Sequence, residues 1–245
     1  MRVVLNTFSI TARCPRTGMV GVAVATKLPA VGALCPYVRA GAGAIASQSL
    51  VNPFLGLRGL ELLQHGIPAQ EALERLLAAD DGRDLRQLAV VDRDGGTAIF
   101  TGGRCEGWHG HRMGSGYVVA GNFLTGEDVV ASMAAAFEAA IEETLPERLV
   151  RALEAGQAAG GDKRGKQSAA LRVAWREEYP HVDLRVDDAP DPVTELRRLY
   201  GVFVGQLQPF LDVLPTQANP AGVTDLEEIR AMGRRRQQAA GGCPS

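Results

Sequence analysis

The sequence predicts an α+β protein built as a four-layer αββα sandwich, and three observations carry that expectation. Segments with strand and helix character come in blocks: strands, a helix pair, strands, a second helix pair, strands. This is not the regular βαβ alternation of a doubly wound sheet. Within a block the breaks are short and rich in Gly and Pro, as antiparallel neighbours require. Finally, 46% hydrophobic against 22% charged residues over 245 positions is enough for a substantial core.

Residues 3–13 and 18–26 are rich in Val, Ile and Thr and are joined by Pro15-Arg16-Thr17-Gly18, which predicts a β-hairpin. Residues 33–39 and 42–48 read the same way, with Gly41 and Gly43 at their junction and small Ala42, Ala44 and Ala46 permitting close packing on a sheet face. A short amphipathic helix through Leu57, Leu60 and Leu63 ends before Gly66, and Pro68 opens a second, Ala69 to Ala79, striped by Ala72, Leu73, Leu76 and Leu77. Strands at 86–92 and 97–101 flank Arg93-Asp94-Gly95-Gly96, a Gly-rich region follows, and Gly116 to Gly121 reads as the next strand. Two longer helices, Glu127 to Glu143 and Pro146 to Ala159, are broken at Pro146. After Gly160-Gly161-Asp162 come strands at Ala169 to Trp175 and Val182 to Val186, then a helix from Pro192 to Val213 started by Asp191. Beyond Pro215 the chain turns polar and Gly-rich, with a helix near 224–236 and a loose Ala239-Ala240-Gly241-Gly242 end. The expected organisation is a core domain over 1–215 and an appendage over 216–245.

Composition removes several function classes. The formal net charge is -2, and Lys and Arg are dispersed apart from Arg234-Arg235-Arg236, so no basic face announces nucleic acid. No run approaches the roughly 20 apolar residues of a membrane span, and the start lacks a signal-peptide core, so a cytoplasmic protein is expected. Cys14, Cys35, Cys105 and Cys243 show no CxxC pairing, which predicts free thiols. His109-Gly110-His111, read as a Gly-rich turn, lacks further ligands at metal spacing, and no phosphate-cradling Gly loop opens a helix. Neither a metal nor a cofactor is expected.

Thr7-Phe8-Ser9-Ile10, Gly21-Val22-Ala23-Val24-Ala25, Ala40-Gly41-Ala42-Gly43-Ala44, Gln48, Asn52-Pro53, Arg86-Gln87-Leu88, Thr101-Gly102, Gly121-Asn122 and the run from Gly160 to Ala170 together resemble domain-of-unknown-function family 1028 over about residues 5–200. The resemblance implies the N-terminal-nucleophile (Ntn) hydrolase fold, also seen in proteasome β-subunits and penicillin acylase, and with it a threonine nucleophile. In that chemistry a free α-amine, with a pKa near 7.7–8.0, takes the proton from the hydroxyl of the same residue. In members resembling this family the threonine follows the initiator Met directly, whereas here Asn6 precedes Thr7. Residues 1–6 must therefore leave, by a protease or by attack of the Thr7 hydroxyl on the Asn6 carbonyl.

Around Thr7 the expected catalytic group is Lys27, a cation at a strand end; Asn122, an amide donor for the oxyanion; and Asp162 and Ser168, which orient the amine and relay protons. Arg39, Gln48, Asn52 and Arg164 are the expected substrate binders, the first three near one end of a sheet. Each has a plainer reading: Thr7 a strand residue, Lys27 a solvated strand end, Asn122 a turn residue, the 160–168 loop a helix stop. The function expected is an amidohydrolase of a small amide or ureide C–N bond. The alternatives are a ligand-binding protein that kept the fold without the free amine, or a hydrolase using Cys105 with His111, or a metal. Tyr200 to Leu211, with Phe203 and Phe210, is the candidate face for a homodimer.

Overall fold

The structure is a computed structural model that describes the backbone of residues 7–240 and the side chains of residues 7–234. The expected strand residues 3–6, the Arg235 and Arg236 side chains and Cys243 lie outside the described residues. All strand pairings are antiparallel.

In chain order the elements begin with β1 (Thr7–Arg13), β2 (Val20–Thr26), β3 (Pro36–Arg39) and β4 (Gly43–Ser49), followed by α1 (Pro53–Gln64) and α2 (Ala69–Ala78). Next come β5 (Arg86–Asp92), β6 (Thr97–Thr101), β7 (Trp108–Gly114) and β8 (Tyr117–Leu124), then α3 (Asp128–Ala139) and α4 (Leu145–Ala158). The remainder is β9 (Ser168–Ala174), β10 (Val182–Val186), α5 (Pro192–Val202), α6 (Gln208–Leu211) and α7 (Leu226–Ala240). One sheet has six strands in the order β10-β9-β2-β1-β8-β7, the other four in the order β3-β4-β5-β6.

Strand alternation decides which faces meet. On the four-stranded sheet, Tyr37, Ile45, Leu88 and Val90 face α1 and α2 and pack with Leu55, Leu60, Leu63, Leu73 and Leu76. The opposite faces of both sheets meet through Val20, Val22, Val24, Val118 and Ala170 from one and Ala44, Ala46, Ala89 and Val91 from the other. Alanines on this interface let the sheets approach closely. On the far face of the six-stranded sheet lie α3 and α4. Gly156 of α4 admits Phe8 and Met133, since a Cβ there would stand 2.6 Å from Met133 Cγ and 3.2 Å from Phe8 Cδ2. The order of layers is thus helix pair, four strands, six strands, helix pair.

Three expectations are corrected. The stretch around His109-Gly110-His111 is an edge strand, β7, and not a turn; its polar residues and glycines hide the period, and β8 supplies the pairing. The Trp108 ring lies over Gly110, where a Cβ would fall 2.7 Å from Cη2. α1 begins at Pro53 rather than near Leu57, because Asn52 Oδ1 accepts the Phe54 N–H at 3.1 Å and Pro53 occupies the first turn. The helix from Pro192 is not continuous to Val213: a π-turn at Phe203–Leu207 interrupts it just before Pro209, whose missing N–H cannot serve a regular ladder.

The chain divides into two compact units, Met1–Leu196 and Arg197–Ser245. All the sheet structure belongs to the first. In the second, Tyr200 and Phe203 stack with centroids 6.4 Å apart, and no described residue after Phe203 is buried. Of the candidate dimer face, Val204, Leu207 and Phe210 are exposed.

Candidate active site

Thr7 lies in β1, the strand between β2 and β8, and its side chain shares a face with Ser9. Ser9 Oγ donates to Gln48 Oε1 on β4 at 2.8 Å, so this face looks into the space between the sheets. Phe8, on the opposite face, lies against α4. Thr7 pairs with Thr26, Thr26 pairs with Ser168, and Phe8 pairs with Gly121, which makes Asn122 the neighbour of Thr7 one residue further along β8. Ser168, Thr26, Thr7 and Asn122 therefore form a row across β9, β2, β1 and β8, at one end of the sheet, and all are buried.

A polar network underlies that row. Gln87 Nε2 donates to the carbonyls of Gly121 at 3.0 Å and Gly110 at 3.2 Å and to Thr101 Oγ1 at 3.0 Å. Those carbonyls fix which way the Gln87 amide points, because a carbonyl can only accept. Gln87 Oε1 then accepts from Gln48 Nε2 at 2.7 Å and from Asn122 Nδ2 at 3.0 Å. Asn122 is left with Oδ1, a buried acceptor with no partner among the described residues. Asn122 Nδ2 gives one of its two N–H groups to Gln87, and the atom left without a partner is the oxygen.

The loop after α4 closes the same end. Asp162 accepts the Lys27 N–H at 3.0 Å and three contacts from Arg164, from N at 2.9 Å, Nε at 3.1 Å and Nη2 at 2.6 Å. The Asp162 side chain is 1% exposed and that of Arg164 28%, so the pair is a largely buried clamp. Lys27 Nζ donates to the Lys166 carbonyl at 3.1 Å, which directs the ammonium to this loop. Ser168 Oγ receives the Val31 N–H at 3.1 Å and donates to the Leu28 carbonyl, holding the segment after β2. Asp162, Ser168 and Lys27 are thus brought to the end of the sheet where Thr7 stands, each with a structural bond in place.

The other expected binders scatter. Gln48 is inside the network and 1% exposed. Arg39 pairs with Gly43 at the far end of β4 and donates to Gln64, so it does not share an end with Gln48. Asn52 caps α1 and lines a groove of about 570 Å³ with Phe54, Leu62, Ile67 and Asp80 on the helical side. Burial pushes the Cys105 thiol up, and its Sγ donates to the Arg86 carbonyl at 3.4 Å, an environment that suppresses a thiolate. Among the described residues no group of three metal-ligating side chains comes together, and no helix is long and apolar enough to cross a membrane. Ser9, Thr26 and Gln87 were not assigned roles from the sequence. For Thr26 and Gln87 the signal is present, as polar residues at inward positions of strands whose other inward positions, Val22 and Val24 on β2 and Ala89 and Val91 on β5, are apolar; Ser9 lies on the polar face of β1 with Thr7 and Thr11.

The model of a family of unknown function, DUF1028, matches residues 7–196. This chain belongs to the DUF1028 family. A solved DUF1028 structure, the crystal structure of protein SPO2555 from Silicibacter pomeroyi, is 32% identical, covers 90% of this chain and 100% of that one, and superposes with a TM-score of 0.82. Anbu (ancestral beta-subunit) from Yersinia bercovieri aligns over 80% of this chain and 94% of its own at 13% identity, with a TM-score of 0.33. No curated protein matches. The DUF1028 match opens on Thr7, in the middle of that row, and ends at Leu196, the last residue of the first unit.

Proposed function

We propose that this protein is an Ntn-type hydrolase of a small amide or ureide C–N bond, with Thr7 as nucleophile once residues 1–6 are removed. The observation that carries this reading is the position of Thr7: first residue of the family match, buried between two antiparallel sheets, and flanked by Thr26 and Asn122. A threonine at a chain start supplies both nucleophile and base. Its hydroxyl attacks the substrate carbonyl carbon while the α-amine takes the proton; the C–N bond breaks as the ammonium returns that proton to the leaving nitrogen. Water, deprotonated by the same amine, then cleaves the Thr7 ester and releases the acid. The oxyanion falls to backbone N–H groups at this end of the sheet. The Asp162–Arg164 clamp and Lys27 keep the surrounding loop in place and add positive charge at the site's edge.

The test is intact mass and amino-terminal sequencing of purified protein, fresh and after incubation, followed by a screen of small amides and ureides. A chain starting at Thr7 whose activity falls at least about 10³-fold in Thr7→Ala, with native unfolding behaviour, is the expected result. A chain that keeps residues before Thr7, or a Thr7→Ala variant with full turnover, overturns it.

A further inference from the structure

Resting on the reading of Thr7 as a terminal nucleophile, we infer that Asn122 is a positioning residue that accepts an N–H of the Thr7 α-amine through Oδ1. Three observations converge. Asn122 neighbours Thr7 in the β1–β8 register, and both face the space between the sheets. The orientation of its amide is imposed from below: the Gly110 and Gly121 carbonyls fix Gln87 Nε2, Gln87 Oε1 therefore points up, and Asn122 must offer it Nδ2. What remains is Oδ1, buried and without a partner among the described residues, in an Asn that is wholly buried. A buried carbonyl oxygen kept unpaired carries a desolvation cost, and its retention calls for a donor that the described residues do not supply. A new α-amine at residue 7 is such a donor and the nearest that chain cleavage creates.

The chemistry fits the task of a terminal base. With one N–H held by Oδ1, the amine lone pair is free to face its own hydroxyl, and the ammonium formed during attack keeps the same acceptor. A neutral amide oxygen favours the protonated form only mildly, whereas a carboxylate there would hold the amine charged and idle near neutral pH. The charged and titratable groups around this end are already engaged or set off to the side. Lys27 is on the Lys166 carbonyl, Asp162 is clamped by Arg164, Lys166 reaches Asp191, and His109, paired with Asn122 on β7, is exposed and bonded to the Gly107 carbonyl.

The experiment uses the full chain beginning at Thr7, obtained by the protein's own processing or by expression with Met directly before Thr7. The α-amine is titrated by its rate of acetylation with acetic anhydride across pH 6–10, read on the amino-terminal peptide by mass spectrometry. Asn122→Ala is expected to lower the amine pKa by about half a unit and Asn122→Asp to raise it by about one. Opposite shifts of this kind are not produced by a general loosening of the site. Unchanged values in both variants, or shifts of one sign, overturn the inference, as does an Asn122→Ala change confined to a raised KM for amides, which would assign Oδ1 to substrate. Should Asn122→Ala fail to fold, Asn122→Leu, similar in size and without an acceptor, takes its place beside the Asp variant. A Thr7-start chain that hydrolyses amides with an unmoved amine sinks only this assignment, whereas full turnover in Thr7→Ala sinks the proposed function.

Discussion

At the scale of single residues, the chemistry of this site is set by polar side chains buried where apolar ones are the rule. Ser9, Gln48, Gln87 and Asn122 are each at most 1% exposed and are hydrogen-bonded to one another across the gap between the sheets, with Asn122 Oδ1 alone of their polar atoms left open among the described residues. A buried polar group left unpaired costs about 1–3 kcal/mol, so the network is stable only as a whole. Gln87→Leu is the sharpest test, because it strips the acceptor from both Gln48 and Asn122 and the donor from the Gly121 carbonyl. We expect a loss of about 2–4 kcal/mol in urea unfolding, with Ser9→Ala costing less, about 1 kcal/mol, since it removes one donor at the edge.

Gln48 and Asn122 were visible in the sequence as polar residues near strand ends, but their roles were not. A side chain's partners lie on other strands, and the face it shares with them follows from register, which no local pattern contains. Gln48 reads as a substrate binder in the sequence, and its tie to Gln87 appears only when β5 is laid beside β4.

At the scale of elements, the alternation in Thr7-Phe8-Ser9-Ile10-Thr11-Ala12 is enough to assign a strand with one polar and one apolar face, and the paired helices follow from their Leu and Ala stripes. β7 was not legible, because a central Gly and two His residues leave no alternation, and an edge strand needs only one partner to form. Close approach of backbone is another property of pairs of elements. Gly43 starts β4 with φ +156°, and a Cβ there would collide with the Val91 carbonyl oxygen of β5 and stand 2.7 Å from Leu63 Cδ1 of α1. Backbone cannot give way as a flexible side chain can, so Gly43→Ala is expected to cost about 1–3 kcal/mol despite Ala's lower unfolded-state entropy. Urea unfolding of the variant checks this; an unchanged midpoint would mean that β4 can shift without loss.

At the scale of the whole molecule, stability is concentrated in the first unit. No described residue after Phe203 is buried. A chain ending at Leu211 should therefore unfold within about 0.5 kcal/mol of the full chain, by chemical denaturation followed by tryptophan fluorescence, both Trp residues lying before the cut. A larger loss would show that the second unit supports the first. Stability should also depend on pH through His181, whose ring meets Trp175 edge-on with centroids 5.3 Å apart and whose pKa burial lowers from 6.5. Above pH 6.5 the ring is neutral folded or unfolded. As pH falls below 6.5 the unfolded chain takes up the proton first, so stability declines toward the lowered folded value. His181→Gln should flatten that decline between pH 7 and 5 in thermal melts; an unaltered slope would assign it to other groups.

The sequence by itself determined the composition of the core, the nature and order of most elements, the αβ-block pattern that implies stacked layers, and a threonine placed at the first position of the family match. These properties are local: periods of 2 and 3.6, turn residues, caps. Only the tertiary structure decided that β1 lies between β2 and β8, that Ser168, Thr26, Thr7 and Asn122 form one row, and that the Asn122 amide points its nitrogen down and its oxygen outward. The reason is physical. A hydrogen-bonding side chain takes its direction from its partner, and the partner of Asn122 is Gln87, which comes from the other sheet and is itself oriented by the Gly110 and Gly121 carbonyls.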